Sequence, residues 1–334
     1  KNLPKATSEY LKQDVTHTWL SSAFGYPVRN LLFDPPAVLT DTGWGELVEE
    51  IRHILEDLKN LGTNCTPNIE SWWQWRERAI GQESFLRHAF TSTVAETRLP
   101  NNDVTLWDQS YVAAALFKSA VAGAILDSGF NWIDDKVKQN TRWRLLTVGI
   151  CTEHYESRAV KIGDWKGAQQ TIEDFFLKIK KLVEVDLACG SLLYRDREVA
   201  VFSFPGEQEG AETDPSMQSW VDYFTEQATE IARGLELETP PYCRISKPSR
   251  SLILLTSESE EARQILKVPI HRYWEIPGEK STGGHVCPVC FVRLNEGYRD
   301  KQKPCPICEG RRHRRLKDWL DGNLGNDTIW IDEI

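Results

Sequence analysis

Methionine is nearly missing from this 334-residue chain, which holds Met217 alone and begins at Lys1. The last stretch, Thr328-Ile329-Trp330-Ile331-Asp332-Glu333-Ile334, alternates like a strand with nothing after it to complete a sheet. Together these features predict a fragment of a longer polypeptide. Also missing is an apolar run approaching the ~20 residues that cross a bilayer, and Lys1-Asn2-Leu3-Pro4-Lys5 opens no signal-peptide core. The reading that follows is a cytoplasmic protein with no membrane among its partners. Cys65, Cys151, Cys189 and Cys243 stand singly rather than in a disulfide framework, as reduced thiols do in a reducing compartment. At 334 residues and 40% hydrophobic content the chain can build the cores of two or three domains.

The other four cysteines are grouped. Cys287-Pro288-Val289-Cys290 is followed, after 14 residues, by Cys305-Pro306-Ile307-Cys308. Each Cys-x-x-Cys turn aims two sulfurs at one point, so two turns can close a tetrahedron around Zn²⁺. Two redox dithiols or two disulfides are the competing readings. Four sulfurs leave no position for water or substrate, so such a zinc is structural rather than catalytic. His285 and His313 flank the turns as possible substitute ligands, although four cysteines already suffice.

Charge is segregated around these turns. The whole chain has 40 Lys and Arg against 49 Asp and Glu, a net −9. From His285 to Lys317 nine cations (Arg293, Arg299, Lys301, Lys303, Arg311, Arg312, Arg314, Arg315 and Lys317) face Glu296, Asp300 and Glu309, so this segment carries +6 and the rest −15. A small basic module in an acidic protein suggests a local contact with a phosphate backbone, for which Arg311, Arg312, Arg314 and Arg315 are the candidates. The alternative is a solvated face that pairs with acidic groups.

The periodicity predicts an α+β protein. Residues 46–61 place Leu47, Ile51, Ile54, Leu55 and Leu58 on one helical stripe that Gly62 ends. Trp72, Trp73 and Trp75 beside Arg76 and Arg78 read as a packing cluster, with a base-stacking platform as the rival. Residues 106–125, rich in Ala and nearly all apolar, predict a buried helix. Strand patterns at 143–151, 191–194, 198–204, 242–245 and 251–256 alternate with helical patterns at 167–185 and 215–235. In order this is β-α-β-β-α-β, the ferredoxin-like split βαβ with two helices on one face of an antiparallel sheet. The expected domains are a helical block over 1–138, a ferredoxin-like domain over 139–280, a zinc module over 281–318 and the opening of another domain over 319–334.

This order resembles the large subunit of type III CRISPR effector complexes. Arg98-Leu99-Pro100-Asn101-Asn102-Asp103 leading into Leu106-Trp107-Asp108 and Ala113-Ala114-Ala115-Leu116 is similar to the family's segment before its first palm, with Gln109 where the family often has His. Leu192-Leu193-Tyr194-Arg195-Asp196 followed by Val199-Ala200-Val201-Phe202 resembles the central hairpin of the first palm, and Trp330-Ile331-Asp332-Glu333-Ile334 the first strand of the second. These last two features look closest to the divergent type III-D-like branch, and the resemblance spans roughly residues 90–334.

The resemblance implies a subunit of an RNA-guided ribonucleoprotein in antiviral defence, scaffolding guide and target RNA together with backbone and small subunits. Many members of the family make cyclic oligoadenylates or cut single-stranded DNA. Here none of the seven histidines precedes an Asp, so the family's His-Asp nuclease motif is absent from the sequence. A cyclase palm needs carboxylates at a strand end and a Gly-Gly-Asp-Asp hairpin to hold two Mg²⁺ about 4 Å apart. Residues 143–151 contain no acid, and the hairpin offers only Asp196 between Arg195 and Arg197. The expectation is a degenerate, non-catalytic first palm. Asp332 and Glu333 stand either at the start of a second palm or as a surface acidic pair, so the alternatives are a cyclase completed beyond Ile334 and an unrelated zinc-ribbon RNA-binding protein.

Overall fold

The computed structural model describes residues 19–20, 29–30, 40–63, 68–81, 83–93, 101–102, 104–126, 131–206, 216–277, 284–295 and 303–320, the last six of these through the backbone alone. Cys65, Asp332, Glu333 and most of the 98–103 motif lie outside the described residues. The chain divides into two compact units, Lys1–Phe117 and Lys118–Ile334.

The first unit is mainly helical. A short ladder joins β1 (Trp19–Leu20), β2 (Arg29–Asn30) and β3 (Asn101–Asn102). Between its strands run α1 (Asp41–Thr63), α2 (Ile69–Ile80) and α3 (Phe85–Thr91). Asn68 and Ser84 cap α2 and α3 by accepting from backbone N–H groups at Glu70 and Arg87. Leu47 of α1 packs with Ala89 of α3 and Ile51 lies against them, so the start of the predicted stripe faces inward, whereas Leu55 is exposed. Trp75 donates its indole N–H to the Ile54 carbonyl at 3.0 Å and meets Trp72 edge to face, so this tryptophan serves as a tie between α1 and α2.

Helix α4 (Leu106–Leu126) crosses from the first unit into the second. The expectation of a buried helix holds only on one side. Ser119 is fully buried, and Lys118 donates to the Glu184 carbonyl at 2.5 Å, whereas Phe117 and Ile125 are more than two-thirds exposed. By length and composition α4 reaches what a bilayer crossing needs, with mean hydropathy 1.3 and 22% of the stretch buried. This corrects the reading that no segment does so. The polar anchoring of Lys118 and Ser119 to protein groups is how a helix docks on a folded core.

The second unit is built on one antiparallel sheet. After α5 (Asp134–Asn140) come β4 (Trp143–Gly149), α6 (Glu153–Glu156), α7 (Ile162–Lys181), β5 (Leu192–Arg195), β6 (Val199–Pro205), α8 (Ser216–Gly234), β7 (Tyr242–Ile245), α9 (Leu254–Leu266) and α10 (Pro306–Leu320). The spatial order is β5-β6-β4-β7, and every neighbouring pair is antiparallel. One face carries Leu146, Val148, Phe202 and Phe204 against Ile172, Phe175, Phe176 and Ile179 of α7 and Phe224, Ala228 and Ala232 of α8.

The opposite face, carrying Leu145, Val199 and Val201, is covered by Ala262 and Leu266 of α9. Two expectations change here. Residues 251–256 do not form a fifth strand, and the sheet is covered on both faces rather than one. Leu252-Ile253-Leu254-Leu255 is a short apolar run that fits either a buried strand or a helix. Leu254, Glu258, Ala262 and Leu266 fall four apart, and the helical choice buries three of them against the sheet. Double coverage also explains why β6 is apolar at every position but Ser203 and is buried at every residue.

Candidate metal centre

The two cysteine turns are shaped by backbone bonds before any metal is considered. Cys287 N–H donates to the Arg293 carbonyl at 2.8 Å and Phe291 N–H to the Cys287 carbonyl at 3.0 Å, which folds the first turn back on itself. Phe291 closes it with φ +58°. Gly284 has φ +127°, and a Cβ there would lie 1.8 Å from the Asn295 carbonyl oxygen, so only glycine fits. Asn295, fully buried, accepts from His285 N–H at 3.0 Å and donates to the Lys303 carbonyl at 2.8 Å, joining the first turn to the second. The second turn runs into α10, with Pro306 at its first position and Cys308 in its first turn.

All four sulfurs are buried and lie within 4.8 Å of one another, positioned to hold a metal ion such as zinc. Cys287 Sγ accepts N–H groups from Val289 at 3.4 Å and Cys305 at 3.2 Å, the bonding expected for a thiolate. Hydrogen bonding from Cys290 pulls the Cys287 thiol far down, while the hydrogen bond to Cys287 pushes Cys308 far up. So crowded a set cannot ionise completely without a compensating cation. The donor set fits a soft, tetrahedral divalent metal. Among the described residues, His285 and His313 do not belong to the cluster.

The predicted arginines converge on this centre, with their charged ends on protein carboxylates. Arg311 straddles Glu238 at 2.9 and 3.0 Å and donates to the Glu236 carbonyl at 2.7 Å. Arg312 grips Asp164 through Nε and Nη2 at 2.6 and 3.0 Å, and Arg314 reaches Asp174 at 2.5 Å. This placement does not present them as an open phosphate-binding face. The side chain of Arg315 lies outside the described residues. Arg293 also bonds to Glu238, a carboxylate only 1% exposed. Burial acts to raise the Glu238 carboxyl, and Arg311 and Arg293 outweigh it, leaving the group below its usual range.

Sequence reasoning missed the residues that receive the metal turns: Glu238, Asp164, Asp174, Arg158 and a pair of glycines. Arg158 donates to the Cys290 carbonyl at 2.8 Å and lies over the Phe291 ring. Added Cβ atoms would come 2.9 Å from the Arg312 carbonyl oxygen at Gly163 and 2.1 Å from the Arg311 carbonyl oxygen at Gly167, so α7 and α10 meet backbone to backbone. The Gly-x-x-x-Gly spacing was the legible signal for this contact.

Asp196, in the turn between β5 and β6, is committed elsewhere. It accepts from Glu198 and Val199 N–H at 2.8 Å each and from Arg263 of α9 at 2.5 Å. Among the described residues, the cysteines form the one group of three or more metal-capable side chains. Comparison of the chain with protein-family models, curated proteins and solved structures finds no match.

Proposed function

We propose that this chain is a zinc-stabilised, catalytically silent part of the large subunit of a type III CRISPR effector complex, of the divergent type III-D-like branch. In this reading it is a cytoplasmic protein that scaffolds guide RNA and the backbone and small subunits. The observation that carries the proposal is the succession of one sheet and one cysteine centre. The strand order β5-β6-β4-β7 supports the ferredoxin-like split βαβ reading, and the four-cysteine turns come after that sheet and α9 in sequence. The same sheet order favours a palm over an unrelated zinc ribbon.

Cys287, Cys290, Cys305 and Cys308 would hold the zinc, which supplies folding energy to turns too small to bury a core of their own. The commitment of Asp196 to Arg263 supports the absence of a two-metal site in the first palm. A cyclase reading depends on a Gly-Gly-Asp-Asp hairpin beyond Ile334, and sequence there decides it. The test of the main reading is affinity purification of the protein from its native cells. Recovery of one defined small RNA with several smaller subunits is expected, and recovery of a chain free of RNA and partners overturns it.

A further inference from the structure

Beside the four sulfurs lies a small cavity whose wall includes His154, Tyr155, Asp164, Glu238, Cys290 and Cys308. Its space for the centre of a water-sized sphere is about 20 Å³, where one water needs roughly 10–15 Å³. Most polar groups on the wall are already bonded. Tyr155 Oη accepts from Glu238 N–H at 2.9 Å, Glu238 holds two guanidiniums, and Asp164 holds Arg312 together with the Val160 and Lys161 N–H groups. His154 is different. It is 6% exposed, and neither ring nitrogen has a partner among the described residues.

A neutral imidazole carries one donor and one acceptor, and burying both unpaired is strongly unfavourable. Other protein groups on the wall are engaged, and the cavity has room for one small polar molecule. We propose that this cavity is a water site of the metal centre, where one internal water hydrogen-bonds to the His154 ring and donates an O–H to the sulfur of Cys290 or Cys308. The inference rests on the reading of the four cysteines as metal ligands. It makes His154 a positioning residue that acts on the thiolates through the water. Hydrogen bonds donated to ligating groups from outside the coordination sphere withdraw charge from them and tune the metal.

The test loads the full chain with Co²⁺ in place of zinc, since sulfur-to-cobalt charge-transfer bands report charge on the thiolates. His154→Phe fills the cavity and should shift these bands and raise the rate of cysteine alkylation by iodoacetamide several-fold. His154→Gln keeps polar atoms at the site and should stay near wild type. A high-resolution crystal structure of the wild-type protein should show one water bonded to both His154 and a cysteine sulfur, and this readout decides the matter if His154→Phe fails to fold. Wild-type protein that takes up no cobalt overturns the metal reading itself. Cobalt uptake with unchanged bands and alkylation in His154→Phe, or a dry cavity in the crystal, overturns the water site and leaves the metal reading standing.

Discussion

Glu238 illustrates what a buried charge requires in this chain. A carboxylate 1% exposed is tolerable only because Arg293 and Arg311 both face it. Glu238→Gln leaves two guanidiniums against a neutral amide, and we expect a loss of about 3–5 kcal/mol in urea unfolding. Asp196 makes a pH-dependent contribution. Burial acts to raise its carboxyl, but the bonds from Arg263, two backbone N–H groups and Tyr194 leave it below 3.8. Its contribution is therefore complete above that value and is lost as pH falls through the lower folded-state value. Asp196→Asn should cost about 1–3 kcal/mol at pH 7 and flatten the decline in stability below pH 4. An acid limb identical to wild type would show that the Arg263 pairing does not hold in solution. At the metal centre, Cys305→Ser should abolish bound zinc in elemental analysis and open residues 284–320 to protease while the sheet survives.

The contact of α7 with α10 is set by the absence of side chains. A methyl at Gly167 would sit 2.1 Å from a carbonyl of the facing helix, so Gly167→Ala must push the helices apart, at an expected cost of about 1–3 kcal/mol. Gly310 on α10 has nothing within 4 Å of its added Cβ, and Gly310→Ala should instead stabilise by roughly 0.5–1 kcal/mol through backbone entropy. Thermal melts of the two variants should move in opposite directions. The elements differ in how legible they were for physical reasons. The cysteine turns were readable because metal ligation fixes residue type and spacing together, and β4 and β6 because apolar runs bounded by turns suit a sheet. Helix α9 was not, since it begins inside the aperiodic apolar run Leu252–Leu255 and its partner face belongs to strands far away in sequence. The arginines were visible as a basic cluster, but their partners Asp164, Asp174 and Glu238 are single acids with no local pattern.

Across the whole molecule, four of the nine cations of the basic segment, Arg293, Arg311, Arg312 and Arg314, are matched to acids of the same unit, so part of the charge segregation seen in the sequence is internal pairing. Metal removal should then loosen more than two turns. Chelation is expected to free α10 from α7, read as protease cleavage within 284–320 and as a drop in thermal midpoint, with fragments covering the sheet persisting. Because no described carboxylates outside the cysteine centre assemble a metal site, incubating the chain with ATP and Mg²⁺ or Mn²⁺ should yield no oligoadenylate. Product that disappears in Asp196→Ala would refute that assignment.

The pairing of Arg312 with Asp164 spans 148 residues, and that of Arg314 with Asp174 spans 140. On a ribosome adding roughly 5–20 residues per second, Asp164 waits about 7–30 s for its partner to be made. During that interval Asp164 and Asp174 lack their arginines, and the paired glycines of α7 have no helix over them. Completion of this contact is thus timed by the synthesis of α10, and a ribosome stalled short of the second cysteine turn would hold a chain in which Asp164, Asp174 and the α7 glycines are uncovered.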